Sequence, residues 1–359
     1  MFNPKVFEII KCPECFGREF CFTNLPDKGD VKESGALICK GCRQLYVVQE
    51  GILSLVKSEL ADKERELTFI SNCGAMLPAI SVTKRIEDLQ RKNRSQFDLE
   101  RIISEKAFWD QKKCRKSPSA PIQYSWNRYD VRDRHITAYI NKEVRGKIVV
   151  EFGSGNSGTL YHIMNPQKLG YTLVCTDISY NALLIAKHLH PDAIIIQCDA
   201  TNPPFMDNMV DVIFEFGVLH HLPENDAVLK THIKLLKKGG YLGLHEPMDR
   251  RPGFLPAVIK SERRKGNRSM HHESISEKKT LDYLGRYGKI INQHVEYSPV
   301  RNLLVGIFVD MLRINARWFH YLTVRIDQFV IRTIGKIWRR MDASALLLVW
   351  QKNGKDEYS

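Results

Sequence analysis

The 359-residue sequence predicts an α/β fold in which a doubly wound, mostly parallel sheet follows a small cysteine-rich module and a helical connector. Two observations lead to this prediction. After Lys147, short apolar runs alternate with stretches of helical periodicity, a pattern typical of βαβ units. Near the start of the chain, two Cys-x-x-Cys pairs indicate a unit that folds around a metal ion.

The chain is too long for one ordinary domain, and shifts in its composition divide it into three parts. We expect the cysteine-rich module over 1–56, the connector over 57–121 and the sheet domain over 122–359. The segment 117–121 contains two prolines, which do not sit inside helices, and it marks the second boundary. Basic or helical insertions into the sheet domain are predicted at 247–280 and 299–342.

Composition indicates a globular protein of a reducing compartment. Hydrophobic residues make up 43% of the chain and charged residues 26%, which excludes wholesale disorder. The N-terminal segment lacks the features of a secretory leader. Nine cysteines, an odd number, suit metal binding better than a disulfide framework. We therefore expect a cytoplasmic protein.

The net charge of +13 is unevenly distributed along the chain. Residues 148–246 carry −4, whereas 61–147 carry +7 and 247–359 carry +10. Basic flanks of this kind favour an anionic substrate or surface, and the alternative is that the lysines and arginines only solvate helices.

The four cysteines of the N-terminal module have the spacing of a structural zinc site. Two Cys-x-x-Cys turns are separated by the loop 16–38, and the site consists of Cys12, Cys15, Cys39 and Cys42. Each turn directs two thiolates at one ion, and four thiolates complete a closed tetrahedral shell. Apolar runs on both sides of the second turn predict a small β-hairpin. Cys21, between two phenylalanines, is expected to be a buried thiol rather than a fifth ligand.

The sheet domain begins with strand 148–152, which runs into a glycine-rich turn at 153–158. Glycines permit a tight turn there, and the following helix offers free N–H groups to a polar ligand. A second strand ends in Asp177, and a helix begins on Ser179 as its cap. The remaining strands of the sheet are predicted at 193–196, 210–215, 241–246 and 345–350.

Two carboxylates, Glu151 and Asp199, distinguish this site from that of a nicotinamide enzyme, and a third, Asp177, is expected in both classes. Glu151, two residues before the first glycine, can meet the cationic end of an amino acid, whereas it would repel a pyrophosphate. Asp177 can accept the hydroxyls of a ribose. Asp199, after the third strand, can bond the exocyclic amine of an adenine. The pattern therefore favours a cofactor that joins an amino acid to adenosine.

Five motifs in order carry a resemblance to class I S-adenosylmethionine methyltransferases (methyltransferase type 11-like), over about 146–246. They are 150–155, Asp177, 199–205, 216–223 and 236–240. The resemblance implies that Glu151, Gly153 and Gly155 hold the methionine moiety, Asp177 the ribose, and Asp199 with Ala200 the adenine. It also places Ser154, Ile178 and Phe216 among the cofactor-binding residues.

The N-terminal module has a resemblance of its own. The runs 9–15, 37–42 and 51–55 look like the small zinc-ribbon activator proteins that partner methyltransferases. Here that zinc ribbon would be fused in cis, which implies a scaffolding or substrate-guiding role.

Transfer of a methyl group to a hydroxyl benefits from a general base, and histidine is the usual choice. His221 follows the predicted strand 210–215 and His245 lies at the end of the predicted strand 241–246, both at the carboxyl edge of the sheet, where ligands of such folds bind. One of them is the candidate base. The alternative is that the paired histidines at 220–221 are structural features of the motif.

The C-terminal residues 247–359 do not identify the methyl acceptor. Segment 301–340 combines an apolar helical face with a row of arginines, which fits packing or homodimer contact, an anionic membrane surface, or nucleic acid. The leading hypothesis is O-methylation of a small-molecule or lipid/glycan-linked acceptor, with peripheral membrane contact. The alternatives are an rRNA or tRNA base methyltransferase that binds RNA through its ribbon and basic flanks, and a non-catalytic scaffold.

Overall fold

The computed structural model describes residues 4–26, 33–90, 97–114, 132–155, 160, 163–248, 275–297, 322, 325–326, 329 and 343–353. The predicted helical insertion at 299–342 lies outside the described residues except for 322, 325, 326 and 329. Most of the predicted insertion at 247–280 also lies outside them.

All eleven strands of the described chain form one sheet, in the order β1-β2-β3-β4-β7-β6-β5-β8-β9-β11-β10. The strands are β1 (Phe20–Asn24), β2 (Gly35–Cys39), β3 (Leu45–Gln49), β4 (Ile52–Ser54), β5 (Ile148–Phe152), β6 (Thr172–Asp177), β7 (Ile194–Gln197), β8 (Val210–Phe216), β9 (Leu236–Pro247), β10 (Gly288–Tyr297) and β11 (Ala343–Lys352). From β4 to β9 every neighbouring pair is parallel. The predicted α/β class and the doubly wound sheet are confirmed.

The helices of the described residues are α1 (Lys63–Cys73), α2 (Ala79–Gln90), α3 (Phe97–Cys114), α4 (Ala138–Ile140), α5 (Pro166–Leu169), α6 (Tyr180–Leu189), α7 (Asn225–Leu235) and α8 (Glu277–Tyr287). Helix α6 begins as predicted, because the Ser179 side chain accepts a hydrogen bond from the Ala182 N–H. Shorter turns are Pro4–Glu8, Gly74–Met76, Asn141–Glu143 and Leu219–His221, with a π-helical turn at Asp133–Thr137. Among the described residues, no helix is both long and apolar enough to cross a membrane.

The cysteine-rich module continues the main sheet. Strand β4 pairs in parallel with β7, with Ile52 opposite Ile195. The buried Ser54 hydroxyl donates to the side chain of Gln197 at 2.7 Å, and Ile10 forms a bridge with Phe205. The predicted domain boundary near 56 follows the end of β4. The division itself stays a prediction, since one sheet spans both units.

The predicted helical connector consists of α1, α2 and α3 in the described residues. Helices α1 and α2 cover the ribbon hairpin, because Phe69, Ile70 and Leu89 share a buried apolar cluster with Leu45 and Val47. Within this layer, two fully buried side chains form an ion pair. Arg85 donates to both carboxylate oxygens of Glu66, and it also donates to the Ser58 hydroxyl.

One sequence prediction about the ribbon is wrong. Cys21 is exposed rather than buried. It lies on β1, which is the edge strand of the sheet, so its flanking phenylalanines are only half-buried. Apolar neighbours in sequence did not place this thiol in the core, because adjacent residues of a strand point to opposite faces.

We expect the substitution Arg85→Met to lower the free energy of unfolding by about 3–5 kcal/mol, because it leaves the Glu66 carboxylate buried without its partner. Denaturant unfolding measures the change. The matched control is Lys84→Met, on the same helix, whose more exposed ion pair with Asp88 should contribute less than about 1 kcal/mol. Equal losses of unfolding free energy in the two variants would contradict a stabilising role for the buried Arg85–Glu66 ion pair.

Candidate active site and metal centre

The four cysteine sulfurs form one compact cluster. All four Sγ atoms lie within 4.8 Å of one another, and Cys12–Cys42 and Cys15–Cys39 are each 3.6 Å apart. A tetrahedral zinc ion with Zn–S bonds of about 2.3 Å requires sulfurs about 3.8 Å apart. The cluster therefore fits a closed, structural Zn²⁺ site.

Local backbone geometry builds each cysteine turn in the same way. The N–H of Phe16 donates to the carbonyl of Cys12, and the N–H of Arg43 donates to the carbonyl of Cys39. Phe16 and Arg43 both have positive φ, 60° and 62°, which turns the chain sharply after each pair. The Tyr46 hydroxyl lies 3.0 Å from Cys12 Sγ and can donate to that thiolate when the metal is bound.

The described part of the glycine-rich turn after β5, residues 153–155, bends as the sequence predicted, whereas 156–158 lie outside the described residues. Gly153 and Gly155 have φ of 60° and 63°, in the left-handed region that favours glycine. A Cβ atom at Gly153 would lie 2.6 Å from Val218 Cγ2. The space beside the turn is therefore too small for a side chain.

Asp177 holds this turn against the next strand. One carboxylate oxygen accepts from the Gly155 N–H at 2.8 Å, and the other accepts from the Ser179 N–H at 2.9 Å. A carboxylate oxygen can accept more than one hydrogen bond, which is the property that a group binding ribose hydroxyls needs. The Ile178 carbonyl next to it accepts from the Gln197 side chain, which also contacts the ribbon through Ser54.

The candidate adenine loop follows β7. The N–H and the hydroxyl of Thr201 donate to the Asp199 carboxylate. Burial raises the pKa of Asp199 above its ordinary value, and the hydrogen bonds from Thr201 act in the opposite direction. The carbonyl of Ala200 accepts from His232 at 2.8 Å, and the other ring nitrogen of His232 lies 2.7 Å from Glu215. A fully buried His–Glu pair thus fixes the position of this loop.

Glu246 organises the turn after β8. One of its oxygens accepts from the backbone N–H groups of Gly217, Val218 and Leu219, and the other lies 2.7 Å from His220 Nδ1. Burial alone would raise the pKa of Glu246, but the contact with His220 and the backbone hydrogen bonds keep it below its ordinary value. His220 is therefore occupied as a structural partner.

His221 has a different environment. Its Nδ1 lies 3.2 Å from Glu105 Oε2, and its ring meets the edge of Trp109 at 5.3 Å between centroids. Burial lowers the pKa of His221, His220 adds to this effect, and the Glu105 carboxylate acts in the opposite direction. A lowered pKa keeps the imidazole neutral and able to accept a proton at neutral pH.

His245 is held by a hydrogen bond to its Nδ1 atom. Arg132 donates from Nε to His245 Nδ1 at 2.9 Å, and the Arg132 guanidinium stacks over the ring of Phe216 at 4.5 Å. A neutral imidazole that accepts at Nδ1 carries its proton at Nε2. His245 therefore presents a donor nitrogen, whereas a general base requires an acceptor.

The structure brings the sequence-predicted site residues to one edge of the sheet. Glu151, Asp177 and Asp199 lie on or just after three adjacent parallel strands, β5, β6 and β7. Sequence reasoning missed Glu105, Arg132, His232 and the role of Glu246. No motif marks the first three, because their significance depends on which elements pack together.

Two protein families match separate parts of the chain. Residues 150–244 match the family described as "Methyltransferase domain", and residues 3–51 match "Trm112p-like protein". The chain therefore contains a methyltransferase domain of the S-adenosylmethionine-dependent class, with S-adenosylmethionine as its cofactor. In front of this domain it carries a Trm112p-like zinc ribbon in the same polypeptide. Both resemblances seen in the sequence are confirmed.

Individual relatives cover less of the chain. A fatty-acid O-methyltransferase of Mycolicibacterium smegmatis is 28% identical over 117 residues, which are 32% of this chain and 42% of the relative. The chain thus matches about two-fifths of the length of that curated relative. A putative sarcosine dimethylglycine methyltransferase from Galdieria sulphuraria is similar in structure, with 16% identity, a TM-score of 0.47 and coverage of 66% of this chain and 89% of that one.

A third similar structure is the complex between the Haloferax volcanii Trm112 methyltransferase activator and a putative methyltransferase. Its sequence identity is 14% and its TM-score 0.42, with coverage of 68% of this chain and 97% of that chain.

We expect metal analysis of the purified protein to find about one zinc per chain. The Cys39→Ser variant should lose that zinc and its ribbon should unfold, because three ligands no longer close the tetrahedral shell. Cys21→Ser is the matched control, since this exposed cysteine lies outside the cluster. Full zinc content in the Cys39→Ser protein would contradict zinc binding by the four-cysteine cluster.

Proposed function

We propose that the protein transfers the methyl group of S-adenosylmethionine to an oxygen of a small-molecule or lipid-linked acceptor. The observation that carries this proposal is the Asp177 carboxylate, which joins the positive-φ glycine turn to the start of helix α6. A carboxylate next to a glycine turn supports the binding of a ribose, and so of a nucleoside cofactor, at this edge of the sheet.

The chain's own residues have distinct proposed roles toward the cofactor. Glu151, Gly153, Ser154 and Gly155 hold the methionine part, Asp177 with Ile178 the ribose, and Asp199 with Ala200 the adenine, next to Phe216. When bound, the cofactor supplies a methyl group on a positively charged sulfur, and its transfer to a hydroxyl releases one proton. The protein must then align the acceptor, exclude water and take up that proton.

Of the two predicted bases, we propose His221. Its lowered pKa keeps it neutral, and Glu105 lies at its Nδ1, so its Nε2 can receive the proton of the acceptor. His245 accepts at Nδ1 from Arg132 and is better suited to donate a hydrogen bond to the acceptor oxygen.

Fatty-acid O-methylation, the activity of the Mycolicibacterium smegmatis relative, supports oxygen as the acceptor atom and a lipid as one acceptor class. A fatty acid is already ionised at neutral pH and needs no base, whereas an alcohol or phenol does. A buried histidine with a carboxylate partner therefore favours a hydroxyl over a carboxylate acceptor.

Asp177→Ala should weaken binding of S-adenosylhomocysteine at least tenfold, about 1.4 kcal/mol, because it removes the ribose acceptor and the anchor of Gly155. Isothermal calorimetry measures the affinity, and circular dichroism checks the fold. Asp192→Ala, an exposed aspartate in the loop before β7, is the matched control and should bind normally. Wild-type protein that fails to bind S-adenosylmethionine would refute the proposed function.

His221→Asn should lower kcat by about 10²–10⁴-fold with a hydroxyl acceptor and change it little with a fatty acid. Release of S-adenosylhomocysteine, measured over panels of phenols, long-chain alcohols and fatty acids, gives the rates.

For a hydroxyl acceptor, wild-type kcat should fall as the pH drops through the lowered pKa of His221, below the ordinary value of 6.5. The exposed His188, changed to Asn, is the control; equal rates for both variants would exclude His221 as base.

A further inference from the structure

Helix α3 belongs to the connector and lies outside the residues that match the methyltransferase family, yet it contacts the candidate site at two points. Near its start, Arg101 donates to the carbonyl of Leu222, in the turn after β8, at 3.2 Å. Near its end, the Asp110 carboxylate accepts from the hydroxyl of Ser179, just after β6. Strands β6 and β8 flank β5 on either side, so α3 spans the edge at which the glycine turn lies.

One face of α3 is directed at the turn after β8. Arg101, Glu105 and Trp109 are spaced four residues apart and so share one side of the helix. The first binds the Leu222 carbonyl, the second lies beside His221 Nδ1, and the third packs edge-on against the His221 ring. Three consecutive turns of the helix therefore fix the position of one short segment, 221–222.

The Glu105 carboxylate is buried, and the imidazole that it faces is largely buried. Its side chain is 8% exposed, and that of His221 is 14% exposed. A carboxylate in such a place is costly to bury unless a partner compensates for it. The two atoms are 3.2 Å apart without the alignment of a hydrogen bond, and catalytic hydrogen bonds are often poorly aligned in the absence of substrate and tighten in the reacting complex.

We propose that Glu105 is the positioning residue for His221 in proton transfer. Its carboxylate favours the tautomer with the proton on Nδ1, so Nε2 carries the lone pair that receives the proton of the acceptor hydroxyl. After that transfer, the same carboxylate stabilises the imidazolium. This inference rests on the proposed function, and it makes the connector part of the active site.

Three charged or titratable groups influence His221 from the elements around it. They are Glu105 on α3, His220 beside it in the chain and Glu246 on β9. The carboxylates of Glu105 and Glu246 both favour the protonated ring, whereas burial and His220 disfavour it. Glu246 is already bound to His220 and to backbone N–H groups. Glu105 is therefore the carboxylate whose removal should act on His221 directly.

The test is nuclear magnetic resonance of protein labelled with ¹⁵N-histidine, with S-adenosylhomocysteine bound. The His221 resonance, assigned by its loss in His221→Asn, should show the Nδ1–H tautomer in the wild type. Glu105→Gln should lower the pKa of His221 further and mix the two tautomers, because a neutral amide neither attracts the imidazolium nor selects one tautomer. Glu105→Asp, which keeps a carboxylate, should fall between the wild type and Glu105→Gln.

The matched control is Glu100→Gln, the same change at an exposed glutamate of the same helix, which should leave the His221 titration as in the wild type. An unchanged tautomer and pKa in Glu105→Gln would overturn the inference. If Glu105→Gln does not fold, Glu105→Asp provides the test. A wild-type titration and tautomer of His221 in that variant supports the role of the carboxylate. A His221 titration and tautomer like those of free histidine overturns it.

Calorimetry of S-adenosylhomocysteine binding separates this inference from the proposed function. Glu105→Gln should bind it within about twofold of the wild type, since Glu105 has no proposed role toward the cofactor. Absence of binding in the wild type refutes the methyltransferase proposal, whereas normal binding with an unperturbed His221 refutes only the role of Glu105.

Discussion

An unbroken series of parallel strands, from β4 to β9, determines where every group of the candidate site lies. Parallel strands end at the same edge of a sheet, and in a doubly wound sheet the chain leaves the first central strand in both directions. Here β6 and β7 lie on one side of β5, and β8 and β9 on the other. The glycine turn after β5 therefore lies between the acidic ends of one half and the histidine-bearing turns of the other.

Buried carboxylates maintain this edge, and each has a defined partner. Asp177 accepts hydrogen bonds from backbone N–H groups of two segments, Glu246 binds the turn that carries both paired histidines, and Glu215 acts through His232 on the loop after β7. An ionised carboxylate withdrawn from water is stable only when such donors replace the lost hydration. The same contacts that compensate for burial thus hold the loops that a ligand would touch.

The ribbon and the connector contribute to this edge from outside the methyltransferase domain. Strand β4 and the first cysteine turn support the loops after β6 and β7, through Gln197 and through the hydrogen bond between Lys11 and Pro204. Helix α3 spans the edge from Ser179, after β6, to Leu222, after β8. The cysteine cluster and the candidate site are therefore parts of one continuous structure, in which the ribbon supports the loops after β6 and β7 and helix α3 contacts the turn after β8.

The sequence by itself determined the elements whose signals are local. The alternation of apolar runs predicted β5 to β9 and β11, the cysteine spacing predicted the zinc cluster, and the glycines predicted the positive-φ turn, because each depends on a few neighbouring residues. It could not reveal that β4 would join β7, that Cys21 would lie on an exposed edge, or that Glu105 would meet His221. These outcomes depend on contacts between residues more than a hundred positions apart, or on which strand lies at the edge, and only tertiary packing decides them.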